Sequence, residues 1–261
     1  MLKQEQKLFL ELCNFRNNHF EKLKKLLEKG TSAPVLGELF FNRMQGIAYG
    51  TLEKHELLGN VNREFRNSLH NAYMQNIQKN RSFYIYLHKL ANILKPLPCR
   101  YAMLKGAVLC KYYPEGYRTA SDIDLLVSPN NVTVVGSALH EAGFRQGYIH
   151  SGKFVPATRE EIITSRMTRG ETIPYILEVG LPFMPFLEVD INFSLDYKNS
   201  NDDTVDQMLE HAVPRRIDDF EISSLDNADL FIHLCVHLYK EATTMPWIEM
   251  KRDMTLYKFA D

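Results

Sequence analysis

Three aspartates have the residue type and spacing to gather a cation. In RTASDIDLLVS (residues 118–128), Asp122 and Asp124 flank one isoleucine at the head of an apolar run, so on a strand both point to the same face. Their Cα atoms would then sit about 6–7 Å apart. The third, Asp190, lies in FLEVDINFSL. There Leu187, Val189, Ile191, Phe193 and Leu195 share one face, and Glu188, Asp190, Asn192 and Ser194 share the other. If these two strands are sheet neighbours, three carboxylates converge and repel unless a counter-charge joins them. Hard oxygen ligands of this kind suit Mg²⁺, which keeps water and substrate phosphates in its shell. Two such ions about 3.5–4 Å apart can activate an attacking oxygen and stabilise a leaving one. Upstream, the short strand RYAML runs into Lys105-Gly106, where backbone N–H groups and a cation can hold phosphates. The plainer alternatives are a solvated strand end for the aspartate pair, an exposed polar strand face for Asp190, and a lysine reaching water for Lys105.

The elements that must position these residues follow from the apolar pattern. Leu8, Leu12 and Phe15, then Leu23, Leu26 and Leu27, predict helix ending at Gly30. Thr31-Ser32 and Pro34 supply a cap and an early-turn proline for a helix through LGELFFNRMQGIAY. A third helix is predicted from about Asn62 to Leu94, ended by Pro96 and Pro98. From Cys99 onward the texture changes. RYAML and DIDLLV read as strands, AVLCKYY as a helix between them, and Pro129 through LHEAG as a helix closed by Gly143. Residues 145–185 show little periodicity. After the FLEVDINFSL strand the remainder reads as mostly helical, and LYKFAD ends in helical rhythm, which leaves room for a longer natural chain.

Composition places the chain among ordinary globular proteins: 261 residues, 45% hydrophobic and 24% charged, enough to bury a sizeable core. No apolar run approaches the ~20 residues of a membrane span. The charged N-terminus lacks a signal-peptide core, and four scattered cysteines without a CxxC pair suggest reduced thiols, so a cytoplasmic protein is expected. The net charge of -1 conceals a split. Residues 1–98 hold 15 Lys/Arg against 8 Glu, and residues 99–261 hold 16 Lys/Arg against 24 Asp/Glu. That split suits either a basic helical part packed on an acidic half or a face for an anionic partner. Three regions are expected: a helical part (1–98), a core (99–198) and a C-terminal helical part (199–261).

Other candidates have ordinary readings beside the chemical ones. His233 and His237 have i,i+4 metal-ligand spacing, but Leu234 stands where HExxH needs glutamate, so a structural or substrate-lining role is expected. Arg166 and Arg169 either face an anionic substrate or sit in a solvated loop. Phe83, Tyr84 and Tyr86 are expected to pack a core or a helix interface.

The stretches LKGAVLCKYYPEGYRTASDIDLLV (104–127) and EVDINF (188–193), and less specifically LFIHLCVHLYKEA (230–242), resemble the polymerase-β-like nucleotidyltransferase superfamily, in particular an uncharacterised bacterial nucleotidyltransferase branch. The resemblance implies an α+β fold, with a small mixed sheet as catalytic core between a helical N-terminal region and C-terminal helices. It assigns Asp122, Asp124 and Asp190 to the binding of Mg²⁺ or Mn²⁺, with Asp190 also helping to deprotonate the acceptor hydroxyl. Gly106 would allow close approach of the triphosphate, and Lys105, Arg118 and Ser121 would contact phosphates. The family signature begins Gly-Ser; here Gly106 matches and Ala107 stands in the serine's place. The implied reaction moves a nucleoside monophosphate from an NTP to a hydroxyl of a small molecule, peptide, protein or RNA, with release of pyrophosphate. The rival reading is a non-catalytic nucleotide-binding or regulatory module with the same fold. A second rival is a helical interaction protein whose basic N-terminal part binds nucleic acid.

Overall fold

Helical periodicity over the first eighty residues is realised as α1 (Lys3–Cys13), α2 (Phe20–Leu27), α3 (Ala33–Phe41), α4 (Gln45–Lys54) and the first half of the long α5 (Arg63–Leu94). This computed structural model describes residues 3–16, 19–196, 203–249 and 255–260, and its contacts fall into two compact units. The first comprises Met1–Asn80, Tyr113–Thr119 and Asp253–Asp261. Leu12, Leu23, Leu39, Ile47, Leu52 and Leu69 are fully buried in its core, each from the apolar stripe of its own helix. Two expectations are corrected here. The helix expected through LGELFFNRMQGIAY is broken after Phe41, because Arg43 adopts φ 56° and turns the chain while the Asn42 side chain donates to the Glu38 carbonyl. Ser32 sits at the N-cap of α3, but its hydroxyl donates to Glu5 Oε1 at 2.6 Å rather than accepting from the helix.

The second unit comprises Arg81–Tyr112 and Ala120–Arg252. Its boundary cuts α5 at Asn80/Arg81 instead of following Pro98, because Phe83, Leu87, Leu90 and Leu94 pack into the core of the sheet. The sheet is built from β1 (Tyr101–Met103), β2 (Asp122–Val127), β3 (Arg145–His150), β4 (Lys153–Pro156), β5 (Tyr175–Leu181), β6 (Met184–Asn192), β7 (Val213–Ile217) and β8 (Phe220–Ser224). Its eight strands are ordered β4-β3-β5-β6-β2-β1-β8-β7. Parallel and antiparallel pairs mix, so the α+β class with a mixed sheet is the observed one. Helices α6 (Gly106–Leu109), α7 (Val132–Glu141), α8 (Arg159–Thr168), α9 (Thr204–Glu210), α10 (Asn227–Thr243) and α11 (Met245–Glu249) complete the unit. No helix among the described residues is long and apolar enough to cross a membrane.

Two stretches differ from the expectation. Residues 145–185 contain β3, β4, α8 and β5; the β3–β4 hairpin is largely solvated, so no apolar alternation marks it. The region after residue 198 is not all helical, since β7 and β8 form a hairpin whose turn places Asp218 at φ 49°. Its strands carry Arg215, Arg216 and Glu221, which hide the alternation.

Candidate active site

Strand β2 begins at the polar end of an otherwise buried run: Ile123, Leu125, Leu126 and Val127 have no exposure, and Asp124 has 8%. Parallel pairing with β6 sets Asp122 opposite Glu188, Ile123 opposite Val189 and Asp124 opposite Asp190. Partners in a ladder share a face. Four carboxylates therefore occupy one face of two central strands, while Ile123, Val189 and Ile191 hold the other side in the core. A backbone bridge between Glu171 and Asn192 brings a fifth acidic side chain to the end of β6. Gly170 permits that approach, because a Cβ there would press on the Asp196 carbonyl.

Lys105 is the cation set into this acidic face. It caps α6 with φ 38° and ψ −109°, a conformation costing a β-carbon-bearing residue about 1–2 kcal/mol. Leu104 N–H still donates to the Asp124 carbonyl at 2.9 Å, so β2 holds the turn in place. From there Lys105 Nζ reaches Asp124 Oδ1 at 3.1 Å. Burial works against the ammonium, yet the charges of Asp124, Asp122 and Asp190 raise its pKa and keep it protonated. Burial likewise pushes the Asp124 carboxyl upward, but Lys105 outweighs it and holds Asp124 below its ordinary value.

The remaining acids are poorly compensated. Burial and then the Asp124, Glu188, Asp122 and Glu171 charges raise Asp190 well above the usual aspartate range. Asp122 stands exposed at the strand's start, yet desolvation by the crowded face and the Asp124 charge raise it against the pull of Lys105 and of backbone N–H groups; burial with Asp122 and Asp124 raises Glu188. Such a donor set, hard, anionic and short of positive charge, fits a divalent cation. Among the described residues, three ligand atoms within 4.8 Å of one another occur at His211, Asp226 and Asp229 rather than at these aspartates. That trio is already engaged: Asp226 caps α10 by accepting from Asp229 N–H at 2.8 Å, and His211 Nδ1 lies 3.2 Å from Asp229 Oδ2.

Helix α10 presents His233, His237 and Lys240, at i, i+4 and i+7, to the electrostatic field of Asp124. His233 is 8% exposed and neither ring nitrogen has a hydrogen-bond partner; burial and Lys105 lower its pKa to about 4, so it is neutral. It stacks on His237 with ring centroids 6.4 Å apart, and His237 Nε2 lies 3.5 Å from Glu241. The sequence HLCVH has no glutamate after the first histidine, so the pair does not form the HExxH motif.

Of the residues expected to act, Lys105, Gly106, Ser121, Asp122, Asp124 and Asp190 all lie in the sheet unit. The side chain of Ala107 is fully buried in the apolar core of this unit, so the position where the family carries serine is here a packed methyl group. Ser121 precedes β2 and is exposed, and its backbone N–H supports the Asp122 carboxylate. Arg118 belongs to the helical unit, where it is buried with its guanidinium 5.2 Å from the Tyr257 ring centroid and 5.9 Å from that of Tyr113. Sequence reasoning missed Lys240 and the closeness of Asn192, whose Nδ2 lies 3.4 Å from Asp124 Oδ1. The seven-residue step from His233 was the available signal for Lys240.

Neither the curated proteins nor the solved structures give a match to this chain. Residues 36–261, a span that includes every carboxylate of the acidic face, match the family model described as an uncharacterised nucleotidyltransferase, and the chain belongs to that nucleotidyltransferase family.

Proposed function

We propose that the acidic face of β2 and β6 transfers a nucleoside monophosphate from an NTP to an acceptor hydroxyl. The observation that carries this reading is the pairing of Asp124 with Asp190 across adjacent parallel strands, with Lys105 the cation bonded to Asp124. Asp122, Asp124 and Asp190 would hold divalent metal, Mg²⁺ or Mn²⁺, and when bound it would offset the charge of the triphosphate and of the departing pyrophosphate. Asp190, register partner of Asp124, would help to take the acceptor's proton. The acceptor oxygen forms a bond to the α-phosphorus as the bond from that phosphorus to the pyrophosphate oxygen breaks. Lys105 and the α6 turn at Gly106 orient the phosphates, and positioning with charge neutralisation supplies most of the acceleration. The neutral His233 offers an unsatisfied donor and an unsatisfied acceptor to whatever enters beside Asp124.

A non-catalytic nucleotide-binding module is the second reading, favoured by the buried methyl of Ala107 where the family places a hydroxyl. Incubation with Mg²⁺, cell extract and NTPs labelled at the α- or γ-phosphate separates the two. Transfer of α-label with release of pyrophosphate supports the enzyme; saturable nucleotide binding with no transfer of label supports the module.

A further inference from the structure

Two polar side chains of α10 are left without a partner beside the acidic face. His233 is more than nine-tenths buried, and neither ring nitrogen makes a hydrogen bond. Burying an imidazole in that state is costly until a ligand or water takes its N–H. Lys240, seven residues on and on the same side of the helix, is partly buried. Among the described residues its ammonium has no hydrogen bond and no carboxylate within 4.0 Å. It opens instead onto a cavity of about 320 Å³ just past the end of β6, walled by Leu195, Asp196, Val236, Tyr239, Thr243 and Thr244.

Both groups share their surroundings with Lys105. His233 lies in the field of Lys105, Asp124 and Lys240, and Lys240 in that of Glu171, Lys105, Asp196 and Asp124. Burial lowers the Lys240 pKa most, and the acids offset this only from beyond pairing distance. Lys105 differs, since its Nζ is 3.1 Å from Asp124 Oδ1. One ammonium is therefore matched to an acid and the other has none. Ala107 adds to the deficit, because its buried methyl stands where a hydroxyl would otherwise donate to a phosphate. One phosphate can satisfy a single ammonium. Two adjacent phosphates can meet both, with the imidazole N–H donating to a further oxygen, and charge-assisted bonds of this kind are short and strong.

We propose that Lys240 and His233 of α10, together with Lys105, bind two adjacent phosphates, those of the NTP that leave as pyrophosphate. The identity of the ligand rests on the transfer reading, while the test reads binding and needs no turnover. The full chain is titrated calorimetrically with inorganic pyrophosphate and with AMP, at fixed Mg²⁺ and ionic strength. The wild type should bind pyrophosphate saturably and one to one. Lys240→Met and His233→Phe should each weaken pyrophosphate by about tenfold or more, and AMP by less than about twofold. Lys240→Arg and His233→Gln keep a donor and should recover most of the loss, which a merely structural role would not give. Lys153→Met, at an exposed lysine of the β3–β4 hairpin, should bind as the wild type does. The inference is overturned by a wild type without saturable pyrophosphate binding, by Lys240→Met binding as tightly as wild type, or by equal losses for AMP or in Lys153→Met. Pyrophosphate binding that depends on Lys240 in a protein without transfer activity would overturn the transfer reading and leave this subsite standing.

Discussion

Asp124 and Asp190 are direct register partners in the parallel pair β2–β6, and they titrate in opposite directions. Asp124 has Lys105 Nζ at 3.1 Å and stays ionised, whereas Asp190 faces mainly other acids and is driven toward its protonated form. Two identical side chains on neighbouring strands thus acquire different chemistry from one lysine.

Removing that lysine should be costly. Lys105→Met leaves Asp124 buried and unpaired, and loss of one partner of a buried pair costs about 3–5 kcal/mol. Chemical denaturation should show a midpoint well below wild type. Lys105→Gly relieves the φ 38° conformation but loses the same charge, so it should fall between the two. Equal stability of Lys105→Met and wild type would contradict the assigned ion pair.

His233 gives a pH dependence with a definite sign. Its pKa in the folded chain is lowered to about 4, against about 6.5 when unfolded, so the unfolded chain binds the proton more readily. Its contribution is present above pH 6.5 and is lost as pH falls toward 4, to a limit on the order of 3 kcal/mol. His233→Phe should flatten that part of the stability profile in urea titrations. A profile of unchanged slope would show that the ring titrates normally.

The cap of α10 links stability to the site. Asp226 accepts from Asp229 N–H, and the same helix carries His233 and Lys240 toward the acidic face. Asp226→Ala should lower stability by about 1 kcal/mol, and Asp226→Ser should recover most of it. No difference between the two variants in thermal unfolding would mean that the cap bond is not formed.

Arg118 is expected to behave differently from the residues of the acidic face. It is buried over the rings of Tyr113 and Tyr257, so Arg118→Leu should destabilise the chain by removing cation–π contacts of about 0.5–2 kcal/mol each. A variant with wild-type unfolding but weakened nucleotide affinity would instead support the phosphate contact that the family resemblance implies for Arg118.

Much of this was legible in the sequence wherever side-chain chemistry and period agreed. The alternation of FLEVDINFSL put Glu188, Asp190 and Asn192 on one face, and the strand shows that pattern. The strand that starts at Asp122 was legible as a polar start to a buried apolar run, and the turn at Lys105 as the end of a short strand. The β3–β4 and β7–β8 hairpins were hidden because solvated edge strands need no apolar face. The proximity of Asn192 and Lys240 to Asp124 depends on register and helix placement, which single-chain periodicity does not contain. The burial of Arg118 was masked by its neighbours, since only three residues lie between it and Asp122 yet the two fall in different compact units.

The central claim is tested most directly by comparing wild type with Asp190→Asn for Mg²⁺-dependent transfer of α-labelled NTP to acceptors in cell extract. The account predicts that the wild type labels an acceptor and releases pyrophosphate, and that the variant keeps its fold but loses transfer by about 10²-fold or more. Wild-type transfer by Asp190→Asn, or no transfer by either protein, would contradict it.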